Sequence, residues 1–209
     1  MSGVVPALTR ADLVRASALL ARHDRDLARL HARHGPPPMW GRPPGFASLA
    51  HIVLEQQVSL ASARAMRRRL RESLGRFDAG TLARAGERGL AVLGVTRQKS
   101  RYLAAAAVAV RDGALDLGAL ADLDDAAVET SLTRLDGIGP WTAQVYLVMV
   151  LRRPDVWPRG DLALLRALAS VKRIRGRLGD DRAHAIAERW RPWRAVAARM
   201  LWQHYLAER

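Results

Sequence analysis

The chain has 209 residues, 49% of them apolar, and a formal net charge of +14. That length supports one large domain or two small ones around a sizeable core. It holds no cysteine, which excludes disulfides and Cys-ligated zinc or iron–sulfur centres, and no apolar run reaches the length of a membrane-spanning helix.

The start MSGVVPALTRADLV lacks the basic and then apolar pattern of a signal peptide, so a cytoplasmic protein is expected. The basic excess points to a polyanionic partner, nucleic acid first. Only Lys99 and Lys172 are lysines. That skew toward arginine accounts for the choice of basic residue, not for the excess of bases over acids.

In chain order, Thr9 with Asp12 three residues on reads as a helix start, and the helical pattern then runs to His34. Residues 35–45 (GPPPMWGRPPG) hold five prolines and three glycines and read as a stiff linker. A helical pattern resumes at 46–57 (FASLAHIVLEQQ). Ser59 suits the N-cap of a helix through Leu74, Thr96 caps the segment 97–112, and Asp124 caps 124–135. A glycine-rich turn leads to the apolar helix 141–151. Asp161 suits the cap of LALLRALASV, Asp180 that of DRAHAIAERW, and Pro192 a first-turn position of the last helix. No convincing strand and no internal repeat appear, so the chain reads as all-α.

The most informative stretch is 135–143, LDGIGPWTA. Its glycines permit a tight turn and a close backbone approach, and Pro140 fits the first turn of the helix that follows. Backbone N–H groups of Gly137, Ile138 and Gly139 beside that helix start make an anion site that suits a DNA phosphate. For a lone Gly-x-Gly between helices, a plain turn with a glycine cap is the competing reading.

With the segments around it, LDGIGPWTA resembles the hairpin of the helix-hairpin-helix DNA glycosylases, and within them the bacterial 3-methyladenine DNA glycosylase II branch. LEQQVSLASA (54–63), GVTRQKSRYL (94–103), DVWPRGDLAL (155–164) and AERWRPWRAVAARMLW (187–202) are similar to further motifs of that branch, in the same order. The resemblance implies an all-α fold of two packed helical subdomains with the active site in the cleft between them. Residues 1–45 would pack with the C-terminal helices. Residues 46–160 would hold the helix-hairpin-helix at about 132–151, and 161–209 the catalytic helix and the C-terminal helices. The helical start does not match the β-rich N-terminal domain that some members carry.

The resemblance also assigns roles. Asp161 becomes the catalytic carboxylate, where local sequence alone reads an ordinary N-cap. Trp141 stands where lyase-competent relatives have a nucleophilic lysine, which implies a monofunctional enzyme. Trp141, Trp202, Tyr146 and Trp40 are candidate walls of a base pocket. The pocket tyrosine of some members falls on Val145, with Tyr146 beside it. Gln57 is the candidate wedge that fills the hole left by a flipped base, with a solvated helix-end glutamine as the alternative. Gly137, Ile138, Gly139 and Thr142 would bind phosphate. Backbone carbonyls of Thr133, Leu135 and Ile138 would hold a structural Na+ or K+, with no other cofactor expected. Glu55 is a second carboxylate of interest, and the arginine-rich run 64–71 is either a solvated face or a phosphate-binding one. Trp190 and Trp193 read as core.

The implied function is hydrolytic release of alkylated purines, 3-methyladenine and 7-methylguanine, from double-stranded DNA by base flipping. The alternatives are a glycosylase for other damaged bases or a non-catalytic helix-hairpin-helix DNA-binding protein. A monomer acting on damaged duplex DNA at the nucleoid, with no membrane partner, is expected.

Overall fold

A computed structural model describes residues 6–208. The N-terminal amine and the first residues of the segment read against a signal peptide lie outside the described residues. Among the described residues there is no strand, no helix is long and apolar enough to cross a membrane, and eleven α-helices follow one another.

The helices fall into two compact units. One comprises Arg42–Tyr146; the other joins Pro6–Gly41 to the residues from Leu147 onward. The breaks thus follow residues 41 and 146, where the sequence pattern points to 45 and 160. The second break falls inside a continuous helix, which sequence patterning does not mark.

The first unit holds α3 (Phe46–Glu55), α4 (Leu60–Leu74), α5 (Ala79–Val92), α6 (Arg97–Arg111), α7 (Asp125–Thr133) and most of α8 (Pro140–Met149). Ser59, Thr96 and Asp124 accept the expected bonds from backbone N–H groups in the first turns of α4, α6 and α7. Helix α3 packs on α4 and α6, and α5 lies along α6. Leu49, Ile52, Val53, Leu70, Leu82, Leu90 and Leu103 form its core. Helix α5 was not legible in the sequence. Three glycines dilute its pattern, and at Gly86 the backbone leaves the helix with φ of 63°.

The second unit holds α1 (Arg10–His23), α2 (Arg25–His34), α9 (Leu162–Val171), α10 (Asp180–Ala187) and α11 (Arg194–Ala207). Helices α1 and α2 pack on each other and on α11, which also packs on α9. The single N-terminal helix suggested by the sequence is two helices. The Thr9–Asp12 capping box starts α1, but the chain breaks at Asp24. Its Oδ1 accepts from the N–H groups of Asp26 (2.9 Å) and Leu27 (3.3 Å), capping α2. Its Oδ2 accepts from Lys172 Nζ (2.7 Å) and Trp190 Nε1 (3.0 Å). A half-buried carboxylate with these partners outcompetes the continuation of a helix. Two other boundaries also differ. Gly179, not Asp180, caps α10, and α11 begins at Arg194, leaving Pro192 outside its first turn. The side chain of Asp180 is engaged elsewhere, at the candidate site.

Candidate active site and hairpin

Asp161 caps α9, and the Leu164 N–H donates to its Oδ1 at 2.9 Å. The same oxygen accepts from Trp202 Nε1 of α11 at 3.3 Å. Both residues are 9% exposed. A capping bond from its own helix and an indole N–H from a neighbouring helix hold the carboxylate in one orientation. The sequence carries no signal for the Trp202 bond, because apolar spacing on α11 gives no sign of where an indole N–H points.

The loop that delivers Asp161 is anchored at both ends. Asp155 accepts at Oδ1 from Arg194 Nε (2.9 Å) and at Oδ2 from Arg191 (2.9 Å), and the Ala195 N–H donates to the Pro154 carbonyl at 3.0 Å. At the other end, Asp180 accepts from Arg159 Nε (2.8 Å) and from the Gly160 N–H (2.6 Å), and Asp181 pairs with the same arginine. Gly160 has φ of 72°, a left-handed turn immediately before the carboxylate. These partners are far apart in sequence, so no local motif announces them.

Arg199, one turn before Trp202 on α11, is fully buried. It donates to the carbonyls of Trp40 (2.6 Å) and Val148 (2.7 Å). Burial brings its pKa down to about 10, with Arg152 adding to the shift, so it stays charged at neutral pH. The linker at Trp40 is thereby fixed through its backbone, while the Trp40 side chain is half-buried. Trp190 stacks at a tilt on Trp157, with centroids 5.7 Å apart.

In the other unit, the hairpin joins α7 to α8. Gly137 has φ of 80°, and a Cβ there would stand 2.0–2.5 Å from the Tyr102 ring. The Tyr102 ring occupies the space a Cβ would take, so only glycine fits. Gln56 Nε2 donates to the Gly137 carbonyl (2.8 Å) and to Thr142 Oγ1 (3.0 Å), tying the end of α3 to the hairpin. Gly139 is exposed at the start of α8, and no backbone carbonyl takes its N–H among the described residues.

Two of the assigned phosphate ligands do not fit that role. The Ile138 N–H donates to the Leu135 carbonyl at 3.1 Å, and the Thr142 side chain is buried against Gln56. The turn uses these groups to hold its own shape. Tyr146 is also misassigned as a pocket wall. It is wholly buried, and burial raises its phenol pKa. Trp141 is half-buried on α8.

Gln57 is exposed and left-handed, with φ of 56°, a conformation that is uncommon for a non-glycine residue. Lys99 Nζ donates to the carbonyls of Leu54 (2.8 Å) and Gln56 (2.7 Å), and burial lowers its pKa. The lysine thus satisfies the last carbonyls of α3 and holds the turn that displays Gln57. Both carboxylate oxygens of Glu55 accept from one nitrogen of Arg42, Nη2, at 2.7 and 2.9 Å, which marks it as structural. Arg64, Arg67, Arg68, Arg69 and Arg71 are all exposed along α4.

The fold and hairpin define a helix-hairpin-helix glycosylase architecture. A family described as HhH-GPD superfamily base excision DNA repair protein matches residues 50–195, and the chain belongs to that superfamily. It is 27% identical over 175 residues to a Bacillus subtilis DNA-3-methyladenine glycosylase, covering 78% of this chain and 58% of the relative. A putative DNA-3-methyladenine glycosylase of the same organism is 25% identical, again with 58% of its length covered. The chain therefore spans little more than half the length of these relatives. Among solved structures, a Bacillus halodurans DNA-3-methyladenine glycosidase superposes with a TM-score of 0.77 at 27% identity, covering 92% of this chain and 91% of that one. A Schizosaccharomyces pombe 3-methyladenine DNA glycosylase in complex with abasic DNA superposes with a TM-score of 0.82 at 24% identity, covering 90% and 95%.

Proposed function

We propose that the chain is a monofunctional DNA glycosylase that hydrolyses the N-glycosidic bond of alkylated purines in double-stranded DNA. The observation that carries this reading is Asp161, a buried carboxylate oriented by its own helix and by Trp202. When the C1′–N bond breaks, its electron pair leaves with the base and positive charge builds on the sugar. A fixed carboxylate stabilises that charge and orients the water whose oxygen then bonds to C1′. The exposed hairpin glycine, the arginines of α4 and the +14 charge support a duplex DNA partner. Gln57, held out on its turn, serves as the wedge when the base is extruded.

Trp141, Trp202 and Trp40 are the aromatic side chains assigned to the flipped base. A purine made cationic by N3- or N7-methylation gains roughly 1–2 kcal/mol from cation–π contact with such rings, and it departs as a neutral molecule. A neutral lesion departs as an anion and asks for a general acid, which this assignment does not include. At the hairpin, the carbonyls of Thr133, Leu135 and Ile138 offer only oxygen donors, a set that suits a hard cation. Na+ or K+ held there would offset phosphate charge. A monomer at the nucleoid completes the proposal. It is tested by single-turnover base release from duplexes carrying alkylated, deaminated and oxidised bases. The methylated purines should leave fastest; faster release of hypoxanthine, uracil or 8-oxoguanine would overturn the substrate assignment.

A further inference from the structure

Three potential metal ligands converge at the ends of α2 and α11, within the second unit. His34 is the last residue of α2, His204 is buried on α11, and Glu208 caps the C-terminus of α11 one turn later. His34 Nε2 lies 3.2 Å from His204 Nδ1. His204 Nδ1 lies 4.0 Å from Glu208 Oε1, and the ligand atoms of all three residues fall within 4.8 Å of one another. The packing of α2 on α11 brings them together, and Gln203 Nε2 holds the register by donating to the His34 carbonyl at 3.1 Å.

Two imidazole nitrogens on one tetrahedral zinc ion, each at about 2.0–2.1 Å, stand about 3.3 Å apart. The observed nitrogen spacing matches that edge. A shared proton would also account for it, and a divalent ion would take that proton's place. Burial is the main influence holding the His204 pKa below the ordinary histidine range, with Glu208 opposing it and His34 and Arg33 adding to it. The neutral imidazole is the form that binds metal. Glu208 also accepts from Arg33 at 2.7 Å, but that arginine side chain is 62% exposed and can turn to solvent at little cost.

We propose that His34, His204 and Glu208 bind one divalent ion of the zinc class, with water completing its coordination. Two nitrogens and one carboxylate favour zinc, nickel or copper over magnesium or calcium. The ion would tie the end of α2 to the end of α11, the helix that also carries Trp202 and Arg199.

The test uses the full chain, free of any affinity tag, at neutral pH. Equilibrium dialysis against ZnSO4 should find one tightly held equivalent, and Co2+ in its place should give the visible absorption of a low-coordinate site. With Zn2+ at about a hundredfold over its Kd, the folded-to-unfolded ratio should rise about a hundredfold, while Mg2+ should leave it unchanged. His34→Gln and Glu208→Gln should each weaken zinc binding at least tenfold. These positions are more accessible than His204, and circular dichroism of the metal-free variants would establish that they are folded. His23→Gln, at an exposed histidine of α1, should bind zinc as wild type does. Failure of the wild type to bind at about 100 µM Zn2+ would overturn the proposal. So would wild-type affinity in both His34→Gln and Glu208→Gln.

Discussion

Gly137→Ala tests the hairpin packing most severely. At φ of 80° an alanine pays the left-handed penalty, about 1–2 kcal/mol. Its Cβ would also stand 2.0–2.5 Å from three ring atoms of Tyr102. These are not the tip of a flexible chain, so the ring or the hairpin backbone must move, at a cost of about 1–3 kcal/mol. Together the two effects predict a loss of about 2–5 kcal/mol, or roughly 4–20 °C in Tm for a chain of this size. Urea and thermal unfolding of the variant would measure it. Repeating the substitution in a Tyr102→Ala background separates the two contributions, since only the conformational part should survive. If Gly137→Ala costs as much without the ring as with it, the close approach of Tyr102 is not what requires glycine. If it costs nothing in either background, the left-handed turn is wrong as well.

Other consequences follow from particular side chains. Burial pushes the Asp24 pKa up, but bonds from Lys172, Trp190 and the Asp26 N–H outweigh it, and the net shift is downward. The stability this carboxylate contributes is therefore present above its unfolded pKa, about 3.9, and is lost as pH falls below it. Asp24→Asn should flatten the fall in urea midpoint measured from pH 5 to 3 relative to wild type. Lys99 and Lys172, the two lysines of the chain, are both engaged by acceptors, and Trp141 offers no amine. Borohydride should therefore trap no covalent adduct with abasic or damaged DNA, and efficient trapping would contradict the hydrolytic assignment. For duplex binding, log K should fall steeply and linearly with log salt. Replacing Arg67 and Arg68 with Ala should reduce that slope by up to about two, and an unchanged slope would remove α4 from the DNA-binding face.

Most helices were legible in the sequence because their starts carry Ser, Thr or Asp caps and their faces repeat at helical spacing. The misreadings have physical causes. Asp24 looked like one more helical residue until its partners Lys172 and Trp190 appeared, and both lie across the fold. Glycines at positions 80, 86 and 89 hid α5. Asp180 has the composition of a cap but spends its carboxylate on Arg159 and Gly160. At the candidate site, the motif located Asp161 and the hairpin glycines. The groups that orient them are long-range contacts that a linear pattern does not encode: Trp202 on Asp161, Gln56 on Gly137 and Lys99 on the turn at Gln57. Exposure then separated candidates that looked equal in sequence, with Gln57 and Gly139 outside and Tyr146 and the Thr142 side chain inside.

In the proposed reaction, catalysis rests on the charge of Asp161. Asp161→Asn keeps an oxygen to accept from Leu164 and Trp202, and asparagine caps helices as well as aspartate does, so the variant should fold and bind DNA like wild type. What it lacks is the negative charge beside the developing cation. At about 4 Å and an effective dielectric of about 20, that charge is worth about 4 kcal/mol, or roughly a thousandfold in rate. The decisive measurement is single-turnover release of 3-methyladenine from duplex DNA by wild type and Asp161→Asn, with DNA binding measured in parallel. Wild type should release the base efficiently, and the variant should be about a thousandfold slower at unchanged DNA affinity. Release by the variant within tenfold of wild type would contradict it.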